Sequence, residues 1–305
     1  MKKTSSAADS AKASFFKRFM YERGPMLDDV KHSVYLWKKT PLALIGTVII
    51  GLFLLIALFA PLLAPYDPIA TDLSRKLEAP SAAHPFGLDQ FGRDVLSRVI
   101  MGSRIEVQII FIISVISIAI GLVVGIVAGY FGGVVDEILM RITDIFLAFP
   151  RLVLAMAFAA ALRPTLTNAI VAISLVEWTV YARLARAEAI KVRSQPYIEA
   201  IKAVGASDFK IMMFHVLPMS ISPVIVQLTM RMGTIILTAA SLGFLGLGAQ
   251  PPLPEWGAIV SDGRSYLMNN WWITAFPGMA IAITVLGFNL LGDGIRDILD
   301  PRIRR

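Results

Sequence analysis

Cysteine is absent from this 305-residue chain. A protein without cysteine forms no disulfide and builds no thiolate metal site. Histidine is also scarce, and the three histidines, His32, His84 and His215, lie far apart in the sequence. We therefore expect no zinc site, no other metal and no cofactor.

Sequence patterns of nucleotide binding and hydrolysis are missing as well. The dipeptide Gly-Lys never occurs, which excludes the Walker A loop, because that loop contains Gly-Lys before its Ser or Thr. Neither a nucleophile elbow nor a zinc-binding His-Glu pattern is present. We expect that the chain is not an enzyme and that any ATP hydrolysis takes place on partner subunits.

Charged residues are few. They make up 17% of the chain, whereas 56% of the residues are hydrophobic and the mean hydropathy is +0.68. A soluble chain of this length carries more charge, and here the apolar residues form long uninterrupted blocks, so we predict an all-α polytopic membrane protein. The net charge of +7 fits basic cytoplasmic loops, and we expect no nucleic-acid partner.

The apolar blocks predict six transmembrane helices. In the second block, Gly121, Gly125 and Gly129 recur every four residues, a spacing that lets two helices approach closely. Charged residues interrupt the third block, and Pro150 is expected to kink it. The predicted spans are residues 41–65, 107–135, 138–162, 166–187, 221–247 and 274–291.

Charge in the connecting segments predicts the orientation. Basic residues outnumber acidic ones by six to three in 183–217, whereas two acids face one base in 247–273. Since lysine and arginine collect on the cytoplasmic side, 183–217 and both chain ends are predicted to be cytoplasmic. The polar, basic N-terminal segment lacks the shape of a signal peptide. Within it, residues 15–20 are either attached to an anionic membrane surface or part of a solvated tail.

These predictions define the domain organisation. We expect a basic cytoplasmic segment at 1–40 and a first span at 41–65. An extracytoplasmic segment at 66–103 follows, with a short amphipathic helix from Val95 to Ile100. A five-helix core at 104–294 includes a polar loop at 191–218, and a cytoplasmic tail occupies 295–305.

Four ionisable residues fall at or near the depth of the spans. They are Asp144, Arg151, Glu177 and Arg231. Intramembrane charges are costly, so they mark a proton or substrate path or are neutralised locally. In the second interpretation, which we favour, Asp144 and Arg151 lie near helix ends and Glu177 pairs with Arg231. The first interpretation leaves open an ion-coupled secondary transporter.

A polar stretch between two apolar blocks, Tyr197–Pro218, predicts two short helices in an L. The first is expected over Pro196–Val204, with Ser194 as a cap and Pro196 in the first turn. Gly205 suits the turn that follows. Ser207 and the next residue are expected to cap a second helix, which Pro218 ends. Because the L is too polar to span a membrane, we expect it to meet a soluble partner.

The spacing in this stretch resembles the EAA loop of ABC-importer permeases. That loop has Glu-Ala-Ala, three residues, Gly, nine residues, then a hydrophobic residue, any residue, Leu and Pro. Here residues 199–205 read EAIKAVG and residues 215–218 read HVLP. Ile201 replaces the second alanine, which leaves less room for close approach, and His215 stands at the hydrophobic position, as is usual in the peptide-transporter branch.

Three further stretches are similar to permeases of the DppC/OppC type, which import dipeptides and oligopeptides. They are HPFG at 84–87 with FGRDVLSR at 91–98, SLGFLGLG at 241–248 with QPP at 250–252 and EWG at 255–257, and NLLGDG at 289–294 with RD at 296–297 and LDPR at 299–302.

This resemblance implies a type I ABC importer permease in the bacterial inner membrane. Such a permease forms a heterodimer with a second homologous permease, binds two cytoplasmic ABC ATPases, receives a substrate-binding protein outside and is surrounded by membrane lipid. The implied substrates are di- or oligopeptides, with nickel, a metallophore or glutathione as alternatives. The residues implied to couple to the ATPases are Tyr197, Glu199, Ala200, Ala203, Gly205, Ala206, Ser207 and Pro218.

Overall fold

A computed structural model describes Trp37 and residues 40–299, with side chains up to residue 297. The surface segment expected at residues 15–20 and the end of the tail lie outside the described residues. Within them the chain forms ten α-helices and no β-strand. The helices are α1 (Pro41–Leu63), α2 (Val95–Phe131), α3 (Gly133–Leu147), α4 (Arg151–Ala161), α5 (Leu166–Arg193), α6 (Pro196–Ala203), α7 (Asp208–Ile211), α8 (Leu217–Phe244), α9 (Trp256–Gly263) and α10 (Trp272–Leu299).

Four helical runs of the described chain are long and apolar enough to cross a membrane. They are α1, α2, the continuous run Asp208–Phe244 and α10. The bent pair α3 and α4 adds a fifth if it counts as one span. Helix α5 has the length, 28 residues, but Asn168, Glu177 and Arg183 lower its hydropathy. The structure thus has four or five such spans where the sequence predicted six.

The short amphipathic helix expected from Val95 to Ile100 is not a separate element. These residues form the first turns of α2, which continues for 37 residues. Asp94 caps the helix by accepting a hydrogen bond from the Ser97 N–H, and Val95 and Arg98 are buried. The prediction was wrong because Ser97 and Arg98 lie inside the protein, so the polar residues do not mark a surface-lying helix.

The third predicted span is broken rather than kinked. Helices α3 and α4 meet at 91° across a short break. Pro150 has a ψ of 126°, and a proline disfavours helical geometry in the residue before it. Chain direction therefore changes sharply at Arg151, the first residue of α4.

A stripe of small residues joins α2 to α5. It consists of Gly121, Gly125 and Gly129 on α2 and Ala182, Ala185 and Ala189 on α5. A Cβ built on Gly125 would overlap the carbonyl oxygen of Ala182. The four-residue spacing therefore has the function that the sequence predicted, which is close approach of two helices.

Buried ion pairs hold the segment 66–94 against the ends of the helices. Arg93 lies 2.6 Å from Asp89 and 3.3 Å from Asp262 of α9. The Nδ1 atom of His84 lies 2.9 Å from the Asp94 carboxylate. All but Asp262 are at least nine-tenths buried. The HPFG and FGRD motifs thus pack together at one end of the helix bundle.

Two carboxyl groups fix α9 against α2. The Glu255 carboxylate caps α9 by accepting hydrogen bonds from the N–H groups of Gly257, at 2.8 Å, and Ala258, at 2.7 Å. Glu106 of α2 accepts from the N–H of Trp256 at 3.3 Å. Burial raises the pKa of Glu255 above its usual range.

The small-residue stripe makes a stability prediction. Replacing Gly125 with Val forces α2 away from α5, because the new side chain meets the backbone of Ala182. Overpacking of this kind costs about 1–3 kcal/mol, so we expect a lower unfolding temperature in detergent. Gly51→Val in α1 is the matched control, since no atom of the described residues lies within 4 Å of its added Cβ. Equal unfolding temperatures for the two variants would contradict the packing.

Candidate functional site

The candidate site is the L formed by α6, the turn 204–207 and α7. Pro196 starts α6, as expected, and α6 ends at Ala203, one residue before the predicted end. The Gly205 N–H donates to the Lys202 carbonyl at 2.9 Å, and the Ala206 N–H donates to the Ile201 carbonyl at 3.2 Å. Gly205 has a φ of 93°. This pair of bonds is a Schellman motif, which terminates the helix and sets the corner of the L.

The N-terminal cap of α6 differs from the prediction. Gln195 stands at the cap position and makes no side-chain bond to the helix. Ser194, the expected cap, instead ends α5, and its hydroxyl donates to the Lys191 carbonyl at 2.9 Å. Helix α5 continues further than the predicted span, so Ser194 belongs to its last turn.

The second arm of the L does not end at Pro218. Ser207 caps α7 by accepting from the Lys210 N–H, as predicted. A π-helical turn, Met212–Val216, then leads directly into α8, and Pro218 lies in the first turn of α8. Proline is tolerated in the first turn of a helix, where its missing N–H costs little. The wider π turn, in which the Leu217 N–H donates to the Met212 carbonyl, lets the chain continue, so the prediction of a helix end was wrong.

The L has one buried face and one exposed face. Ile198, Ile211 and Val216 are buried in a cluster with residues from the ends of α2 and α5. Val204 is 89% exposed, because it lies at the C-cap of α6. Other large apolar side chains are exposed on both arms and in the π turn that follows the second arm. They include Tyr197, Phe209, Met213 and Phe214.

The residues implied to couple to ATPases lie together on this L. Glu199, Ala200 and Ala203 are exposed on α6, and Gly205, Ala206 and Ser207 form the corner. Pro218 is exposed at the far end of the second arm. The structure thus brings them onto one continuous projection.

The sequence did not predict how the L is attached to α2. The Tyr130 hydroxyl, near the end of α2, donates to the Asp208 carboxylate at 2.6 Å. Lys202 lies 3.5 Å from the same carboxylate and 4.8 Å from the centre of the Tyr130 ring. The phenol, ammonium and carboxylate join both arms of the L to α2. The only sequence signal for this attachment was a tyrosine near the end of an apolar block. Such a tyrosine is typical of an anchor at the membrane–water interface.

The intramembrane charges form two groups in the described chain. Arg231 donates to both oxygens of Glu177, at 2.7 and 3.0 Å, which is the pairing favoured from the sequence. Asp144 pairs with Arg183 at 2.6 Å, and both side chains are exposed. Arg151 has no hydrogen-bond or ion-pair partner among the described residues.

Fold and site together define a class: a multi-pass helical membrane protein that presents an apolar helical corner beside its spans. The chain belongs to the family of binding-protein-dependent transport system inner membrane components, whose model matches residues 121–305. A model of the N-terminal TM domain of oligopeptide transport permease C matches residues 35–80.

Curated relatives agree over most of the chain. The probable D,D-dipeptide transport system permease protein DdpC of Escherichia coli (strain K12) is 49% identical, over 88% of this chain and 90% of that protein. The dipeptide transport system permease protein DppC of Alkalihalophilus pseudofirmus is 46% identical, over 88% of each chain. The glutathione transport system permease protein GsiD of Pectobacterium atrosepticum is 44% identical, over 83% of this chain and 86% of that protein.

These matches confirm the DppC/OppC resemblance. The protein is a permease subunit of an ABC importer and a multi-pass protein of the bacterial inner membrane. Its relatives are transport permeases rather than enzymes. Permeases of this kind act together with ATPases and substrate-binding proteins.

The attachment of the L makes a second prediction. Tyr130→Phe removes the hydroxyl that donates to Asp208 and should loosen the attachment of the L to α2. Amide hydrogen exchange in 198–211 should therefore be faster than in the wild type. Tyr266→Phe is the control, because its hydroxyl makes no hydrogen bond to the described residues. Unchanged exchange in Tyr130→Phe would show that apolar packing alone holds the L.

Proposed function

We propose that this permease imports di- or oligopeptides as one half of a heterodimer with a second homologous permease. Two ABC ATPases bind on the cytoplasmic side, and a substrate-binding protein delivers the peptide from outside. The names of the DdpC and DppC relatives support the peptide substrate. ATP hydrolysis belongs to the ATPases, since the chain has no Gly-Lys pair and so no Walker A loop.

The observation that carries the coupling role is the outward-facing corner of the L. Val204 and Phe209 are 89% and 69% exposed, although the backbone on which they stand is held by a Schellman motif and a buried apolar face. An exposed apolar knob on a rigid support fits a groove on a soluble partner. We assign Glu199 and the small residues beside it to the contact with an ATPase.

We also propose the topology with six spans and both chain ends in the cytoplasm. Helix α5 is the fourth span: it is 28 residues long, about 42 Å, and its charges are buried by α8 or lie in its last turns. Residues 1–40 and the tail from 295 are then cytoplasmic, and the segment after α1, from residue 66, is extracytoplasmic together with the first turns of α2. The core from 104 to 294 contains the coupling loop at 191–218.

Glutathione is the second candidate substrate, because a GsiD relative is 44% identical. Nickel and metallophores remain alternatives that the sequence raised, and no group of side chains that could hold a metal ion occurs among the described residues. Because the chain belongs to the binding-protein-dependent family, we no longer propose an ion-coupled secondary transporter.

Reconstitution tests this function. The complete importer in proteoliposomes, with its binding protein outside and ATP inside, should take up a radiolabelled dipeptide. Unlabelled dipeptide should compete at least about tenfold better than glutathione or Ni²⁺ at equal concentration. Uptake of glutathione in preference to the dipeptide would support the second candidate, and uptake without ATP would contradict an ABC importer.

Coupling is tested at the corner of the L. Gly205→Val places a β-branched residue at a φ of 93°, which such residues avoid. We expect ATP hydrolysis to continue while dipeptide uptake falls at least about tenfold, because the corner no longer fits the groove. Gly205→Asn is the matched control, since asparagine tolerates positive φ, and it should keep most of the uptake. Equal uptake in both variants would show that the corner geometry does not matter.

A further inference from the structure

A group of polar side chains lies between α4, α5 and α8. Arg151 and Glu177 lie on opposite sides of the short turn that joins α4 to α5, about 15 and 16 Å along their helices from it. In the proposed topology this turn lies at the outer membrane surface. Half of a 30 Å hydrocarbon core is about 15 Å, which then places both residues near the middle of the membrane. Arg231 of α8 joins them, because it is hydrogen-bonded to Glu177.

The charges in this group do not balance. Arg151 and Arg231 supply two positive charges, and Glu177 supplies one negative charge. Arg151 interacts electrostatically with both members of the pair but has no hydrogen-bond or ion-pair partner among the described residues. It is half-buried, at the point where α3 and α4 bend by 91°. One excess positive charge at this depth is costly without an anion.

An unused hydroxyl lies beside the charges. Tyr181 follows Glu177 by one turn of α5, so both side chains share a face of that helix. Tyr181 is fully buried, and its hydroxyl has no hydrogen-bond partner within the part of the chain that the structure describes. It interacts electrostatically with Glu177, Arg231 and Arg151. A buried hydroxyl without a partner is uncommon, because the lost hydrogen bond to water is not replaced.

We propose that Arg151, Tyr181 and Arg231 form an anion site in the translocation path that takes the C-terminal carboxylate of the imported peptide. This inference rests on the proposed function. Arg151 offers a planar fork of donors that matches a carboxylate, the Tyr181 hydroxyl donates a further bond, and Arg231 contributes charge while it stays paired with Glu177. The bound carboxylate neutralises the excess charge. The same field repels a bare metal cation, which favours peptides over Ni²⁺ along this path.

The carboxylate of a substrate fits better than a lipid phosphate. Tyr181 and Glu177 are at least 98% buried within the chain, so they do not face the acyl chains around the protein. Lipid headgroups also lie at the membrane surface, about 15 Å from this level.

The test compares a dipeptide with its C-terminal amide. Both are delivered by the same binding protein, at saturation, to the reconstituted importer, and initial uptake is measured for each permease variant. The ratio of wild-type to variant uptake for one peptide cancels the preference of the binding protein for that peptide. Arg151→Gln should lower uptake of the dipeptide at least about tenfold and uptake of the amide less than about twofold.

Three further variants complete the design. Tyr181→Phe keeps the shape of the side chain and should lower uptake of the dipeptide about threefold or more, with the amide unaffected. Arg151→Lys keeps the charge without the fork and should fall between wild type and Arg151→Gln. Arg163→Gln, which changes an exposed arginine in the turn between α4 and α5, is the matched control and should leave both peptides unchanged.

Equal losses for the dipeptide and the amide would overturn the inference, since they would mean that Arg151 supports folding or coupling. Loss of co-purification with the second permease in Arg151→Gln would also overturn it, because the missing anion would then be a side chain of that partner. If the wild-type importer takes up neither peptide, the proposed function fails and the carboxylate site fails with it. If the wild type imports both peptides and the variants lose uptake of both equally, only the carboxylate site is contradicted and the proposed function stands.

Discussion

Close contact between α2 and α5 is the constraint on which the other features depend. The two helices touch through glycine and alanine, so no side chain separates their backbones along the stripe from Gly121 to Gly129. The contact between α2 and α5 reaches the attachment of the L at one end and the group around Glu177 at the other. At its lower end the same two helices supply Tyr130 and the buried wall against which the L packs. Near its upper end, α5 carries Glu177 and Tyr181 towards α8 and α4.

The L and the mid-membrane charges are therefore linked by rigid elements. Helix α8 begins directly after the π turn of the L and carries Arg231 about 21 Å further along. Helix α5 ends beside the first arm of the L and carries Glu177 at the same level as Arg231. The exposed apolar corner of the L and the group around Glu177 are thus joined by the same two helices, α5 and α8.

Local features of the L were predictable from sequence because their causes are local. Gly205 and Ser207 act within one turn of the chain, through backbone conformation and capping. The stripe from Gly121 to Gly129 was also predictable, since its four-residue spacing is a property of one helix. The pairing of Arg231 with Glu177 followed from the cost of burying charge, although the two residues are 54 positions apart.

Features that depend on tertiary contacts were not predictable. The sequence pattern of Val95–Ile100 fits a surface helix, but burial of Arg98 makes it part of α2. Pro218 suggests a helix end unless the preceding turn is known to be π-helical. Tyr130 carries no sequence motif, and its role depends on Asp208, which lies 78 positions away.

The π turn between the second arm of the L and α8 determines an angle. A π turn contains one residue more than the α-helical turn that it replaces, and one residue corresponds to about 100° of rotation around a helix axis. The direction in which the L projects from α8 is therefore set by a single extra residue in Met212–Val216. A one-residue deletion there would turn the corner towards a different side of the membrane protein while leaving its distance from the spans almost unchanged. The nine-residue interval between Gly205 and His215 thus determines the direction in which the corner points around the axis of α8.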